Sequence, residues 1–132
     1  MKRLVLFCAL LFSASVAAQP SETCLRAIQT AAETAAYVDM AAANINPQGV
    51  SQAEFEQHTR EVDYPVVLEL YSIGVNLSQR GVERSVVKEQ VVIASKKITS
   101  ADDDIPKKLK TMLAETSEKV VLCGYDEVTF NL

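Results

Sequence analysis

The side chains best suited to chemistry lie in the first half of the chain. Glu54, His58 and Glu61 follow one another at spacings of four and three, so a helix would place them on one face. Carboxylates and imidazole are ligands for transition metals, which makes this face a candidate metal site. However, one helix seldom supplies a complete ligand set, and a solvated polar face explains the pattern equally well. The sequence therefore predicts no bound metal.

A second candidate is a calcium site in the acidic run Asp102, Asp103 and Asp104. A calcium loop needs a glycine and a distal glutamate at fixed positions, whereas Ile105 and Pro106 follow this run. Acidic residues before a helix that opens with proline are favoured by the helix dipole alone. We therefore interpret the run as the start of a helix.

Catalysis by an activated nucleophile has little support in the sequence. His58 is the only histidine, and the chain contains neither a Gly-x-Ser-x-Gly elbow nor a Cys-x-x-Cys-His haem attachment motif. A haem held by His58 and either Met40 or Met112 is an alternative, although methionines on an apolar stripe are usually packing residues. The sequence predicts a protein that is not an enzyme and has no cofactor. An enzyme with an unrecognised site is the alternative.

The first 18 residues have the three parts of a secretory signal peptide. Lys2 and Arg3 precede an unbroken apolar run over 4–12, and Val16 and Ala18 occupy the −3 and −1 positions of a cleavage site before Gln19. The run is too short for a membrane-spanning helix, which needs roughly 20 apolar residues. We expect residues 19–132 to form a single helical domain, periplasmic or secreted, with no stable membrane insertion.

Removal of this leader makes the chain more acidic. The full sequence has 13 Lys and Arg against 17 Asp and Glu. Loss of Lys2 and Arg3 leaves 11 basic residues against 17 acidic ones, a net charge of −6. Such a charge disfavours a nucleic-acid partner. It suits a cationic protein partner, and also simple solubility.

Two cysteines remain after leader removal, because Cys8 lies within the signal peptide. An even number of cysteines in an oxidising compartment predicts a disulfide. Only one pairing is available, Cys24 with Cys123. It joins the first predicted helix to the last and closes a loop of nearly the whole domain.

Apolar spacing of three and four predicts an all-α fold, a bundle of four to five helices. Helix 21–44 follows Pro20, and a second helix opens at Ser51 with Glu54 in a capping box. Pro65 predicts a break near residue 63, with Asp63 capping a new helix over 66–79; a single kinked helix is the alternative. The further helices are predicted over 82–98 and 106–124, before an extended tail.

The glycines and apolar stripes of these helices give further expectations. Gly74 should permit close packing, whereas Gly81 and Gly124 should end helices. The residues expected in buried stripes are Leu25, Ile28, Ala32, Ala35, Val86, Val87, Val91, Ile93, Ala94, Leu109, Met112, Leu113, Thr116, Val120 and Cys123.

Two irregular segments are candidates for contact with a partner. The loop 44–50 contains Ile45 and Asn46, and the break before Pro65 contains Tyr64. Loops on a rigid scaffold often carry recognition. We therefore expect an exported, non-enzymatic protein-binding module, such as an inhibitor or immunity protein. The alternative is a bundle that binds a small ligand or a metal.

In general architecture the chain resembles the small, helical, disulfide-bonded periplasmic immunity proteins of type VI secretion amidase effectors. The features that carry this resemblance are the leader, the helical pattern, and the cysteines in the first and last predicted helices. The resemblance implies inhibition of another exported protein. No site residue is carried over from that family.

Overall fold

The structure is a computed structural model that describes residues 19–130, with the side chains of 129 and 130 excepted. The predicted signal peptide, residues 1–18, lies outside this range. Every regular element in the described part is helical, which confirms the all-α prediction. The elements in chain order are α1 (Glu22–Ala42), a 3-10 turn (Pro47–Gly49), α2 (Gln52–His58), a π-helical segment (Thr59–Asp63), α3 (Tyr64–Gln79), α4 (Arg84–Thr99) and α5 (Lys107–Phe130).

Local sequence signals set several helix ends as predicted. The hydroxyl of Ser21 accepts a hydrogen bond from the backbone N–H of Cys24 at 3.3 Å, and Ser51 accepts one from Glu54 at 3.2 Å. Both are N-cap contacts that satisfy a free N–H of the first turn. Gly81 follows α3 with φ +75°, a left-handed conformation that glycine adopts without strain.

Helix α5 is the centre of the bundle, because α1, α3 and α4 all pack against it. The Cys24–Cys123 disulfide joins α1 to α5, as predicted, and closes a sequence separation of 99 residues. The core cluster lies between α1, α3 and α5, where small side chains of α1 meet larger ones of its neighbours. Its buried members are Cys24, Ile28, Ala31, Ala32, Val67, Tyr71, Val75 and Val120.

Helices α3 and α5 approach each other through two glycines. A Cβ atom on Gly74 would overlap the backbone carbonyl oxygen of Val121, and one on Gly124 would overlap that of Tyr71. The prediction that Gly74 permits close packing is confirmed. The prediction that Gly124 ends the last helix, before an extended tail, is wrong. Helix α5 continues to residue 130, because Gly124 serves the crossing with α3 and not a cap.

The chain does not break before Pro65. Helices α2 and α3 are joined end to end by the π-helical segment, in which the Tyr64 N–H donates to the Thr59 carbonyl. The wider π turn gives the proline ring room against the preceding turn, where it would otherwise clash. The predicted break is therefore absent, and the helix continues through Pro65, as the single-helix alternative predicts. Asp63 has helical dihedrals and makes no capping hydrogen bond, so its predicted capping role is wrong.

Helix α4 is less deeply packed than its apolar sequence predicts. Val87 is its buried residue, whereas Val86, Ile93 and Ala94 are exposed, contrary to prediction. The reason is that α4 packs mainly on α5 and only slightly on α3. Leu25 and Met112 are also exposed, contrary to their predicted place in buried stripes. Among the described residues, no helix is long and apolar enough to cross a membrane.

Candidate functional site

A cleft of about 650 Å³ lies between α1 and the start of the α2–α3 helix. Its apolar surface comes from aromatic rings, and its polar surface comes from carboxylates, amides and one guanidinium. The residues that line it are Gln29, Glu33, Tyr37, Gln52, Phe55, Glu56, Thr59, Arg60 and Tyr64. Its volume lies within the range of clefts that hold small molecules or side chains of a partner.

The aromatic rings of this cleft come from three different helices. Tyr37 of α1 and Phe55 of α2 pack with ring centroids 4.8 Å apart and planes tilted by 41°. Tyr64, the first residue of α3, is half-buried against the hydrophobic core and also lines the cleft. Tyr64 therefore connects the wall of the cleft to the core.

The net negative charge is concentrated in the part of the sequence that builds this cleft. Residues 19–79 contain eight Asp and Glu against two Arg, a net charge of −6. Residues 80–132 contain nine of each sign and are neutral. Glu33 and Glu56 carry part of this negative charge into the cleft, where Arg60 is the single cation of the lining. A positively charged group is therefore attracted to the half of the domain formed by α1, α2 and α3.

The predicted partner-contacting residues differ in their settings. Ile45 is exposed in the loop after α1. The side chain of Asn46 accepts a hydrogen bond from the backbone N–H of Gln48 at 3.1 Å, so it caps the 3-10 turn. Of the three, Tyr64 is the one that lines the cleft. Tyr37 and Phe55 were not among the predicted residues. The pattern that could have indicated them is one aromatic residue on each of two neighbouring acidic helices.

His58 contacts two aspartates and not the glutamates that share its predicted face. Its Nε2 atom lies 3.2 Å from Asp39 Oδ2 and 3.4 Å from Asp63 Oδ2. Glu54 and Glu61 are exposed, and the Glu61 carboxylate accepts a hydrogen bond from Gln57 at 3.3 Å. The structure therefore brings together Asp39, His58 and Asp63 instead of Glu54, His58 and Glu61.

Asp63 is the buried member of this group. The pKa of its carboxyl is raised to about 7, first by burial and then by a hydrogen bond with Asp39 and the charge of Asp39, whereas His58 acts to lower it. Protonation of Asp63 relieves its repulsion with Asp39. Near neutral pH the Asp63 carboxyl is therefore partly protonated.

A second polar group lies beside the disulfide and joins residues of three helices. The Tyr71 hydroxyl donates a hydrogen bond to the Glu127 carboxylate, which also accepts one from the backbone N–H of Ser21 at 2.5 Å. Burial and the neighbouring Glu127 carboxylate raise the pKa of Tyr71. These bonds tie the start of α1 and the middle of α3 to the end of α5, which is a structural role.

The acidic run 102–104 stabilises a helix start, and the two candidate haem ligands Met40 and Met112 differ in exposure. Asp103 pairs with Lys110 at 3.0 Å and accepts a hydrogen bond from the Ile105 N–H at 3.1 Å. These contacts organise the start of α5, in agreement with the interpretation of the run as a helix start. Met40 is buried in the core, whereas Met112 is exposed.

No protein-family model, curated protein or solved structure matches this chain. The resemblance to immunity proteins therefore gains no support from relatives or from structural neighbours.

Proposed function

We propose that this protein is an exported, non-enzymatic protein-binding module that holds a cationic part of another exported protein in the cleft between α1 and α2. Inhibition of that partner, as by an immunity protein, is the finer form of the proposal. The observation that carries it is the lining of the cleft, where Tyr37, Phe55 and Tyr64 stand beside Glu33 and Glu56.

The chemistry of the lining selects for lysine or arginine side chains. A cation over an aromatic face gains roughly 0.5–2 kcal/mol, the larger value when water is excluded. Carboxylates beside the rings add charge complementarity, which speeds encounter and rejects partners of the wrong sign. Tyrosine is among the residues enriched at interfaces, because it combines a large apolar area with a hydrogen-bonding group.

Export has support from two independent features. The first 18 residues read as a signal peptide, and the domain is closed by a disulfide. Disulfides persist in oxidising compartments such as the periplasm and the extracellular space. A partner in the same compartment is therefore the one that the cleft would meet.

The proposal is tested by reversing charge inside and outside the cleft. Glu56→Lys changes the cleft, and Glu89→Lys makes the same change on the exposed surface of α4. Each variant is expressed in the native host, and proteins that copurify with it are quantified by mass spectrometry. We expect one dominant exported protein with the unaltered chain and with Glu89→Lys, and at least a tenfold loss with Glu56→Lys, since like charges across an interface cost several kcal/mol.

Two results would contradict the proposal. One is equal loss of the partner in both variants, because binding would then depend on the net charge of the protein and not on the cleft. The other is retention of a small cationic molecule without any protein partner, which would favour the small-ligand alternative. Thermal unfolding of each variant shows separately that the fold is intact.

A further inference from the structure

Three ligand-type side chains converge from three consecutive elements of the fold. Asp39 lies near the end of α1, His58 ends α2, and Asp63 ends the π-helical segment. One ligand atom from each lies within 4.8 Å of the other two. The side chains of Asp39 and His58 are 45% and 42% exposed, whereas that of Asp63 is 7% exposed. The group therefore has a buried floor and an opening to solvent.

One oxygen of the buried Asp63 carboxylate has no hydrogen bond. Asp63 Oδ2 is shielded from solvent and accepts no hydrogen bond, and it faces His58 Nε2 at 3.4 Å. Buried carboxylate oxygens that accept no hydrogen bond are rare in folded proteins, because their desolvation is poorly compensated. A cation at the opening would compensate it.

Two of the three distances between the ligand atoms fit a small transition-metal ion. With metal–ligand distances of about 2.0–2.1 Å and tetrahedral angles, neighbouring ligand atoms lie about 3.3 Å apart. The two distances from His58 Nε2, 3.2 Å to Asp39 and 3.4 Å to Asp63, are close to that value. A calcium site would require six to eight oxygen ligands, and this group offers too few.

The π-helical segment is what brings His58 and Asp63 together. On a regular α-helix, side chains five residues apart point in different directions. A π turn pairs backbone groups five residues apart, which brings such side chains back toward the same face. Insertions of this kind are frequent at functional sites.

We propose that Asp39, His58 and Asp63 bind one divalent first-row transition-metal ion, represented by Zn²⁺, with solvent in the remaining coordination position. Imidazole nitrogen and carboxylate oxygen are both ordinary ligands of this ion. The site uses none of the residues that line the cleft, so it does not depend on the proposed function.

The experiment is a calorimetric titration of the purified, EDTA-stripped protein with Zn²⁺. The disulfide keeps Cys24 and Cys123 from competing as ligands. We expect one Zn²⁺ per chain, and a loss of affinity of more than about tenfold in His58→Ala and in Asp39→Asn, since even changes beyond the ligands themselves cost that much at metal sites. Glu61→Gln, a carboxylate of the same helical run outside the group, is the matched control and should bind as the unaltered chain does.

A thermal-unfolding measurement gives a second readout that does not depend on heats of binding. Zn²⁺ should raise the Tm of the unaltered protein and of Glu61→Gln, because an ion that binds only the folded state stabilises it. It should leave the Tm of His58→Ala unchanged. The proposal is overturned if no saturable binding of one Zn²⁺ occurs, if binding survives in both ligand variants, or if Glu61→Gln loses it equally.

Discussion

Gly124 of α5 lies against the backbone of Tyr71 in α3, so closely that a Cβ atom on Gly124 would overlap the Tyr71 carbonyl oxygen. One helical turn away, Gly74 of α3 meets Val121 of α5 in the same manner. The two glycines set the distance between these helices. That distance places the Tyr71 hydroxyl beside Glu127 and holds α3 in the core.

Alanine at either crossing glycine should destabilise the fold. The added methyl group meets backbone atoms, which cannot move aside as a flexible side chain would. Overpacking of this kind costs about 1–3 kcal/mol, which outweighs the gain of about 1 kcal/mol in helix propensity. Urea unfolding should show a lower free energy of unfolding for Gly74→Ala and Gly124→Ala. Gly49→Ala is the control, because no atom lies within 4 Å of its Cβ position, and equal destabilisation there would refute the explanation.

The sequence predicted the elements of the fold better than their packing. Ser21, Ser51 and Gly81 act through bonds within their own turns, so their capping roles are visible in the local pattern. In the sequence alone, Gly124 is consistent with a helix end or with a close helix crossing. The contact with the Tyr71 backbone, which shows that it serves a crossing, appears only in the structure. The exposure of Val86 has a similar origin, since a pattern of apolar residues does not reveal how many neighbours a helix has.

The disulfide should contribute a large part of the stability. It spans 99 residues of sequence, and loop-closure entropy gives roughly 4–5 kcal/mol for a loop of that length. Thiol titration of the denatured, unreduced segment 19–132 should find no free thiol. The Cys24→Ala/Cys123→Ala variant should unfold at a markedly lower temperature. Two free thiols, or an unchanged Tm in this variant, would contradict the account.

The hydrogen bond between Tyr71 and Glu127 should be measurable as a stability difference. Tyr71→Phe removes the donor but keeps the buried ring, and a hydrogen bond to a charged group contributes roughly 1.5–3 kcal/mol. Chemical denaturation should show a loss of that order. Tyr37→Phe is the matched control, since that ring is exposed and packs on Phe55, and we expect a change below about 0.5 kcal/mol. A smaller loss in Tyr71→Phe than in the control would argue against this bond.

The candidate sites were partly visible in the sequence. Tyr64 was identified from its place before Pro65, and it does line the cleft. His58 was identified as a ligand-type residue, but its partners were not. Asp39 lies 19 residues away on another helix, and Asp63 reaches His58 only because of the π-helical segment. Helical spacing of three and four pointed instead to Glu54 and Glu61, which are exposed.

Site-specific crosslinking in the native host shows directly whether the cleft between α1 and α2 holds a partner. A photo-crosslinking amino acid replaces Gln52 in the cleft or, as the matched control, the exposed Gln90 of α4. We predict that position 52 yields one dominant crosslinked exported protein, that position 90 does not, and that Glu56→Lys abolishes the crosslink. Crosslinking of the same protein from position 90 alone, or of no protein from position 52, would contradict the proposal.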